Sequence, residues 1–221
     1  MDIRTAVRER RSIRKFKADE VPEKTINEIL ADGSWAPSWG NTQPWEIYVI
    51  TGKALESLRE ANRQKLLAGI PPSPEIKMPE TWPEALKKRY TDVGKSVLTS
   101  LSIAREDEQE RLRYITDMYS FFHVPCLILF CLDKGLVVEY AMLDIGLILQ
   151  TICLLAHDRG LGTCILAASA RYPDMLRGLL KIPENKSIAI GVALGYPDGD
   201  SPVNHFARER VPLKDFVTWV D

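Results

Sequence analysis

The chain has 221 residues, which is enough to bury a substantial hydrophobic core and is typical of one compact domain. Its 29 lysine and arginine residues are balanced by 30 aspartate and glutamate residues, so no overall electric field concentrates nucleic acid or an anionic membrane surface around it. This balance argues against a nucleic-acid or membrane partner and favours a small molecule.

The cysteines and the longest apolar run indicate a soluble protein. All four cysteines lie in apolar stretches without a Cys-x-x-Cys pair, and no secretory segment precedes them, so we expect reduced core residues and a cytoplasmic location. The apolar run at 137–156 contains Glu139, Asp144 and Gln150, each costly in hydrocarbon. This run therefore predicts a buried helix rather than a membrane span.

The first predicted elements are two short helices and a loop. Residues 2–10 have helical spacing and are followed by an alternating stretch through Phe16. A second amphipathic helix starts near Pro22, which suits a first helical turn, and ends at Gly33. Two prolines, a glycine and an asparagine within 36–44 then predict a loop.

Three segments are dense in β-branched and aromatic residues and are predicted strands: 45–51, 126–132 and 187–196. Between the first two, five prolines within 69–83 preclude regular structure, and a polar helical stretch follows at 84–118. We expect an excursion that lies over the core.

The helix predicted at 137–158 is apolar nearly all round, so one sheet face would not cover it. A subunit interface accounts for the remaining apolar surface, and we therefore expect a homodimer. Strands separated by helices without regular βαβ repetition favour an α+β fold over a doubly wound sheet. The sequence shows no internal repeat, and we expect a single domain over 1–221 with an excursion at about 69–120.

Basic side chains cluster near the N-terminus, where seven fall within seventeen residues: Arg4, Arg8, Arg10, Arg11, Arg14, Lys15 and Lys17. Guanidinium groups bind phosphate through paired hydrogen bonds, and alternation would place Ser12 and Arg14 on one face. A second pair, Arg208 and Arg210, would lie on the same side of an extended chain and could bind the same anion as the N-terminal cluster. On these residues alone, a solvated charged surface and a nucleic-acid-binding arm at 4–17 stay open.

Other motifs are weaker or absent. The loop at 37–44 combines turn formers with short polar side chains, which suits either contact with the edge of a polar ligand or a simple connection between a helix and a strand. Gly160-Leu161-Gly162 resembles a dinucleotide fingerprint, but Ile165 occupies the third glycine position and the motif follows a helix. The sequence has no Walker A loop or Gly-x-Ser-x-Gly elbow, and its three histidines are far apart, so we predict no metal site and no catalytic side chain.

Taken in order, these segments resemble the nitroreductase family of FMN-dependent flavoproteins. The order is Arg-Arg-Ser-Ile-Arg, Ala-Pro-Ser-x-x-Asn-x-Gln-Pro-Trp, a long apolar helix, Gly-Leu-Gly-Thr, and Gly-Tyr-Pro before a basic tail. The resemblance extends from about Ile3 to about Leu213. It implies an α+β fold with a mixed sheet flanked by helices, an intertwined homodimer, and FMN bound at the interface.

The resemblance also implies cofactor-binding residues. For the phosphate and ribityl chain they are Arg10, Arg11, Ser12, Arg14, Arg208 and Arg210. A loop that reaches the flavin from the partner subunit supplies Pro37, Ser38, Trp39 and Asn41, with Trp39 standing where a small residue is often found. Gln150 matches a polar position on the central helix. The segment beside the flavin ring is Ile165, Leu166, Ala167 and Ala168. A backbone N–H of this segment would lie near the flavin N5 atom, and that role requires no particular side chain.

The activity that the resemblance implies is a ping-pong reaction in which FMN takes a hydride from NADH or NADPH and reduces a small, flat, electron-poor acceptor, a nitroaromatic or a quinone. Six residues of the excursion are candidates for stacking on such an acceptor: Trp82, Tyr90, Tyr114, Phe121, Phe122 and His123. The alternatives are enone reduction, reductive dehalogenation, flavin breakdown, or a flavin-binding protein without turnover.

Overall fold

A computed structural model describes residues 1–220, which form seven α-helices and four β-strands. In chain order they are α1 (Ile3–Glu9), α2 (Glu23–Gly33), β1 (Glu46–Thr51), α3 (Gly52–Leu67), α4 (Glu84–Ser100), α5 (Glu108–Tyr119), β2 (Cys126–Asp133), α6 (Val138–Asp158), β3 (Gly162–Leu166), α7 (Pro173–Leu180) and β4 (Lys186–Gly195). The predicted α+β class is confirmed, and α3 and α7 add to the elements predicted from the sequence.

The four strands form one antiparallel sheet in the order β1-β2-β4-β3. The sheet is covered on both faces, by α2 and α6 on one side and by α3, α5 and α7 on the other. Because β2 lies inside the sheet and helices cover both of its faces, its residues 126–132 are all buried. The three predicted strands are confirmed within one or two residues at each end.

Helix α6 crosses the core and is only partly covered. Ile145, Ile148 and Ile152 are fully buried against the sheet, whereas Tyr140 and Leu143 on the opposite side are half-exposed. By length and composition α6 resembles a membrane span, but its buried face belongs to the hydrophobic core. The apolar residues on its outer face lie at helical spacing and are available to a partner surface.

The polar stretch predicted as one helix at 84–118 is two helices. α4 ends at Ser100, and Ser102 adopts a positive φ of 57°, a conformation that a continuing helix does not contain. A new helix then starts where the Asp107 carboxylate accepts a hydrogen bond from the Glu110 N–H at 3.0 Å. The proline-rich segment before α4 lacks helix and strand, as predicted.

All four cysteines are buried free thiols, which confirms their prediction as core residues. Burial raises the pKa of Cys126 and Cys131 to about 12, because the thiolate form loses its hydration inside the protein. These thiols therefore stay protonated at neutral pH and are poor nucleophiles.

Candidate functional site

The segment that follows α1, residues 10–17, is called the basic segment here. It extends the sheet at the free edge of β3. Ser12 pairs with Thr163 in a parallel bridge, and the Ile13 N–H donates to the Thr163 carbonyl at 2.8 Å. The Ile13 side chain packs directly on Gly162, where a Cβ atom would lie 2.6 Å from Ile13 Cγ1. The glycine of the Gly-Leu-Gly-Thr motif thus allows the basic segment to approach the sheet closely.

The C-terminal segment closes on the same region. The Arg208 guanidinium donates to main-chain carbonyls at the end of α1, those of Arg8 at 2.6 Å and of Arg10. Carbonyls in the last turn of a helix have no partner within the helix, so a cation there both satisfies them and opposes the helix dipole. Arg208 thereby joins the tail to the basic segment.

Four arginines converge where these two segments meet. The pKa of Arg208 is lowered from its ordinary value, first by burial and then by the positive charges of Arg11, Arg210 and Arg10. Within residues 1–220, none of these four, nor Arg14, forms a salt bridge with a carboxylate. The cluster therefore carries uncompensated positive charge, which is the electrostatic signature of a site for an anion.

A cavity of about 590 Å³ adjoins this cluster. Its lining includes Arg10, Arg11 and Arg208, residues 160–163, and two acidic residues, Glu9 and Asp198. The guanidinium groups in its wall suit the phosphate group of a ligand.

Arg14 lies beside the arginine cluster and is held by aromatic groups. Its guanidinium carbon lies 5.6 Å from the centre of the Phe206 ring, a cation–π distance. Burial raises the pKa of Tyr114, and the nearby charge of Arg14 opposes that rise. Burial also raises the pKa of Cys164 to about 11, although the charge of Arg14 and a hydrogen bond to Ser12 both act to lower it.

The 37–44 loop rests on the N-terminal half of α6. The Trp39 N–H donates to the buried Asp144 carboxylate at 3.0 Å, and the indole packs edge-on against Tyr140 with ring centres 4.5 Å apart. Ser38 Oγ accepts from the Gln43 N–H at 2.9 Å, which ties the two ends of the loop together. Trp39 and Tyr140 line a second cavity of about 370 Å³, with apolar walls apart from Asp144 and Thr42.

The residues predicted to bind one cofactor form two separate sets within a single chain. The loop is anchored at Asp144, whereas the cavity beside the arginine cluster is lined by His157 near the other end of α6. Thirteen residues of helix separate these positions, about 20 Å along the axis. Gln150 is exposed on α6 between them. Pro37 and Asn41 are also exposed, and one chain does not bring them to the arginines.

The segment predicted to lie beside the flavin ring, residues 165–168, is held in place by hydrogen bonds to its backbone carbonyls. Ile165 is partly exposed, whereas Leu166 and Ala168 are buried. The buried Asn62 amide donates to the Ala168 carbonyl at 3.4 Å, and the Ser169 hydroxyl donates to the Leu166 carbonyl at 2.6 Å. These contacts hold the backbone of the turn, while Ile165 in the preceding strand β3 is open to solvent.

Five of the six predicted stacking candidates divide into two groups, and the sixth, His123, is exposed with its ring 3.3 Å from the Asp117 carboxylate. Phe121 and Phe122 are buried in the core, and Tyr114 packs on Phe122. Trp82 and Tyr90, in contrast, are exposed and stack on each other with ring centres 6.2 Å apart and planes inclined by 22°. Among the six predicted aromatic candidates, this pair alone forms an exposed stack of two rings.

Three residues that position the site carry no recognisable sequence signal. Asn204 and Phe206 lie in a tail without periodic pattern, and both contact the basic segment. Asp144 was visible only as an acidic residue inside an apolar helix, and the structure shows that it anchors the Trp39 loop. Each depends on a contact between segments that are more than one hundred residues apart.

Comparison with known proteins gives one consistent result. Residues 7–196 match the model of the Nitroreductase family. A chloronitrobenzene nitroreductase of Comamonas testosteroni is 34% identical, over 97% of this chain and 95% of its own length. A nitrobenzene nitroreductase of Ectopseudomonas oleovorans is 32% identical over the same shares of the two chains. The crystal structure of the FMN- and NADPH-dependent nitroreductase NfnB from Sphigopyxis sp. strain HMH covers both chains completely at a TM-score of 0.96 and 27% identity.

Proposed function

The chain belongs to the nitroreductase family, and from that premise we propose that it is an FMN-dependent oxidoreductase that uses NADH or NADPH to reduce a nitroaromatic or quinone by a ping-pong mechanism. The observation that carries the proposal is the group of four arginines from two distant segments without a carboxylate partner among residues 1–220. Relatives named for nitroaromatic reduction support the acceptor class, and the FMN- and NADPH-dependent NfnB structure supports FMN and NADPH.

The arginine cluster fits the phosphate of FMN. A phosphate monoester carries nearly two negative charges and three acceptor oxygens, which match several guanidinium groups and a hydroxyl. Arg10, Arg11 and Ser12 would contribute from the basic segment and Arg208 and Arg210 from the tail. Arg14 would add a further charge, oriented by Phe206. The pKa of Arg208 is lowered first by burial and then by repulsion from Arg11, Arg210 and Arg10, and a bound phosphate would relieve that repulsion.

The chemistry that FMN supplies when bound is hydride acceptance from the nicotinamide and electron transfer to the acceptor. The role proposed for this chain is to position the flavin ring. The backbone of 165–168 would lie beside the ring, with a main-chain N–H of Ala167 or Ala168 directed at N5. Hydride transfer requires alignment of donor and acceptor rather than a protein acid or base, so no side chain is assigned a catalytic role.

We propose that two subunits complete this site. In one chain, the loop of Pro37, Ser38, Trp39 and Asn41 lies about 20 Å along α6 from the arginine cluster. The outer face of α6 between them, with Leu143 and Gln150, is uncovered. We infer a homodimer in which these faces meet and the loop of one subunit lies over the flavin of the other.

The C-terminal tail supports the same assembly. Leu213, Phe216, Trp219 and Val220 are largely exposed although they are strongly apolar, a pattern that a lone soluble chain avoids. A second copy of the chain offers a surface for them, and exchange of tails would make the homodimer intertwined. The protein is proposed to act in the cytoplasm, where its four free thiols stay reduced.

The excursion at about 69–120 is proposed to cover the flavin and to bind the acceptor. Helix α4 packs against the turn at Pro202–Asn204, which places it next to the tail that carries Arg208. The stacked pair of Trp82 and Tyr90 would offer a flat apolar surface to an aromatic ring. One domain, 1–221, then contains both the cofactor site and its cover.

Anaerobic stopped-flow spectroscopy tests the proposal. The purified protein should be yellow, and NADH or NADPH should bleach the flavin before any acceptor is added. Subsequent mixing with nitroaromatic, quinone and enone compounds should restore the oxidised spectrum fastest for the first two classes. A flavin that neither nucleotide bleaches would identify a flavin-binding protein without turnover, and fastest reoxidation by an enone would move the assignment to another reaction of the family.

A further inference from the structure

We propose that Asn204 is the positioning residue that sets the two arginine-bearing segments at the spacing required by a phosphate group. This inference rests on the proposed FMN site and adds a determinant that makes no contact with the reacting atoms. Asn204 is 2% exposed, and it is the point at which the tail is bonded to the basic segment through both its side chain and its backbone.

The Asn204 side-chain amide has every hydrogen-bonding position filled. Its Oδ1 atom accepts from the backbone N–H groups of Arg14 at 2.8 Å and Lys15 at 3.3 Å. Its Nδ2 atom donates to the carbonyls of Lys15 at 2.8 Å and Asp198 at 2.9 Å. An amide has two donor hydrogens and a carbonyl oxygen with two lone pairs, so this arrangement uses its full capacity and fixes its orientation.

The backbone of Asn204 adds a direct contact with an arginine. Its carbonyl accepts a hydrogen bond from Arg11 Nη1 at 2.8 Å. Two residues farther on, Phe206 lies under the Arg14 guanidinium, and four residues farther on, Arg208 binds the end of α1. The position of Asn204 therefore determines where Arg11, Arg14 and Arg208 lie relative to one another.

This network explains how like charges are held together before the anion arrives. Guanidinium groups that repel one another would separate if their segments were free, and rearranging them on binding would cost affinity. The Asn204 amide has no charge and bonds only to backbone groups, so it fixes the segments without neutralising the arginines. Its effect should therefore appear in the recognition of phosphate rather than of the flavin ring.

Comparison of FMN with riboflavin isolates that effect, because riboflavin has the same ring and ribityl chain but no phosphate. Deflavinated wild-type protein and the Asn204→Ala variant are titrated with each flavin, and binding is followed by quenching of flavin fluorescence. We expect Asn204→Ala to weaken FMN binding about tenfold or more, equivalent to ~1.4 kcal/mol, and to change riboflavin binding less than about twofold. Equal losses for both flavins, or no loss for FMN, would overturn the proposal.

Asn62→Ala is the matched control. Asn62 is an equally buried asparagine whose amide also bonds backbone carbonyls, those of Tyr119 at 2.6 Å and Ala168, but it lies away from the arginines. It should leave the ratio of FMN to riboflavin affinity at the wild-type value. Wild-type protein that binds neither flavin would contradict the proposed function itself, which is a separate outcome of the same titration.

Hydrogen exchange on the wild-type protein keeps the test decisive if Asn204→Ala does not fold. The backbone N–H groups of Arg14 and Lys15 both donate to Asn204, so they should be protected from exchange even without flavin. Rapid exchange of both groups in deflavinated protein, with protection only after FMN is added, would show that the segments are ordered by the cofactor and not by Asn204.

Discussion

The guanidinium of Arg208 donates a hydrogen bond to the main-chain carbonyl of Arg10, 198 residues earlier in the chain. Arg210, two residues later, is exposed, and among residues 1–220 its guanidinium donates only to the carbonyl of its neighbour Glu209. The two arginines of the tail therefore have different structural roles: Arg208 joins the tail to α1, and Arg210 has a guanidinium free to meet a ligand.

This difference predicts separable effects. Arg210→Ala should weaken FMN binding about 10- to 100-fold, the range for a hydrogen-bonded charge, and leave the melting temperature of the deflavinated protein within about 1 °C. Arg208→Ala should weaken FMN binding and also lower that melting temperature, because the end of α1 loses its partner. Arg113→Ala, on the surface of α5, serves as the control. Full flavin occupancy of both tail variants after dialysis would contradict the assignment.

The outer face of α6 predicts a dimer that can be broken by charge. Leu143 is 58% exposed in the single chain, and Leu143→Asp would place a carboxylate in the proposed interface, where its desolvation is costly. Sedimentation should show a dimer dissociation constant raised about 100-fold or more, together with loss of FMN. Leu179→Asp, at an exposed leucine on α7, should stay dimeric and yellow. A Leu143→Asp dimer of wild-type affinity would refute this interface.

The sheet and the central helix could be predicted from the sequence because local patterns specify them. The uninterrupted apolar run at 126–132 and the alternating branched residues of 187–196 both predict strands from local sequence alone. The break between α4 and α5 could not be predicted in this way, since a backbone reversal at Ser102 leaves the polar periodicity of both helices intact. Local propensity carries no information about such a turn.

Ordered motifs in the sequence predict candidate site residues but not how they are brought together. Among them are Arg10, Arg14 and Arg208, whose relative placement we attribute to Asn204, a single amide without a motif. The sequence also gave no sign that the Trp39 loop is anchored by Asp144, far from those arginines in the same chain. Contacts of this kind are set by tertiary packing, which periodicity does not encode.

The stacked pair of Trp82 and Tyr90 predicts an effect confined to the acceptor. Trp82→Ala should raise the KM for a flat nitroaromatic about 2- to 10-fold, the range for loss of one aromatic contact. The rate of flavin reduction by NADH should not change, because the pair is assigned to the acceptor. Tyr90→Phe retains the ring and should keep the wild-type KM. An unchanged KM in Trp82→Ala would remove the pair from the acceptor site.

The ion pair between Glu75 and Arg177 predicts a pH-dependent contribution to stability. Burial raises the pKa of Glu75, but hydrogen bonds from the Ile188 N–H at 2.7 Å and from Arg177 Nη2 at 2.6 Å outweigh it and hold that pKa below its ordinary value of 4.5. A carboxyl whose pKa is depressed by folding stabilises the folded state above its unfolded pKa, and this stabilisation disappears as the pH falls through the folded pKa.

Urea unfolding of wild type and Glu75→Gln measures this contribution. At pH 7 the variant should lose about 1–3 kcal/mol of unfolding free energy, because Arg177 is nearly buried and loses its counter-charge while glutamine still accepts from Ile188. The difference should shrink as the pH falls from 4.5, where the carboxyl of the unfolded chain takes up its proton, through the lower pKa of the folded Glu75. Glu184→Gln is the matched control, since Glu184 lies 3.8 Å from the same guanidinium but is 86% exposed, and it should cost less than about 0.5 kcal/mol. A Glu75→Gln deficit that persists undiminished at pH 3 would show that the loss arises from packing and not from the charge on Glu75.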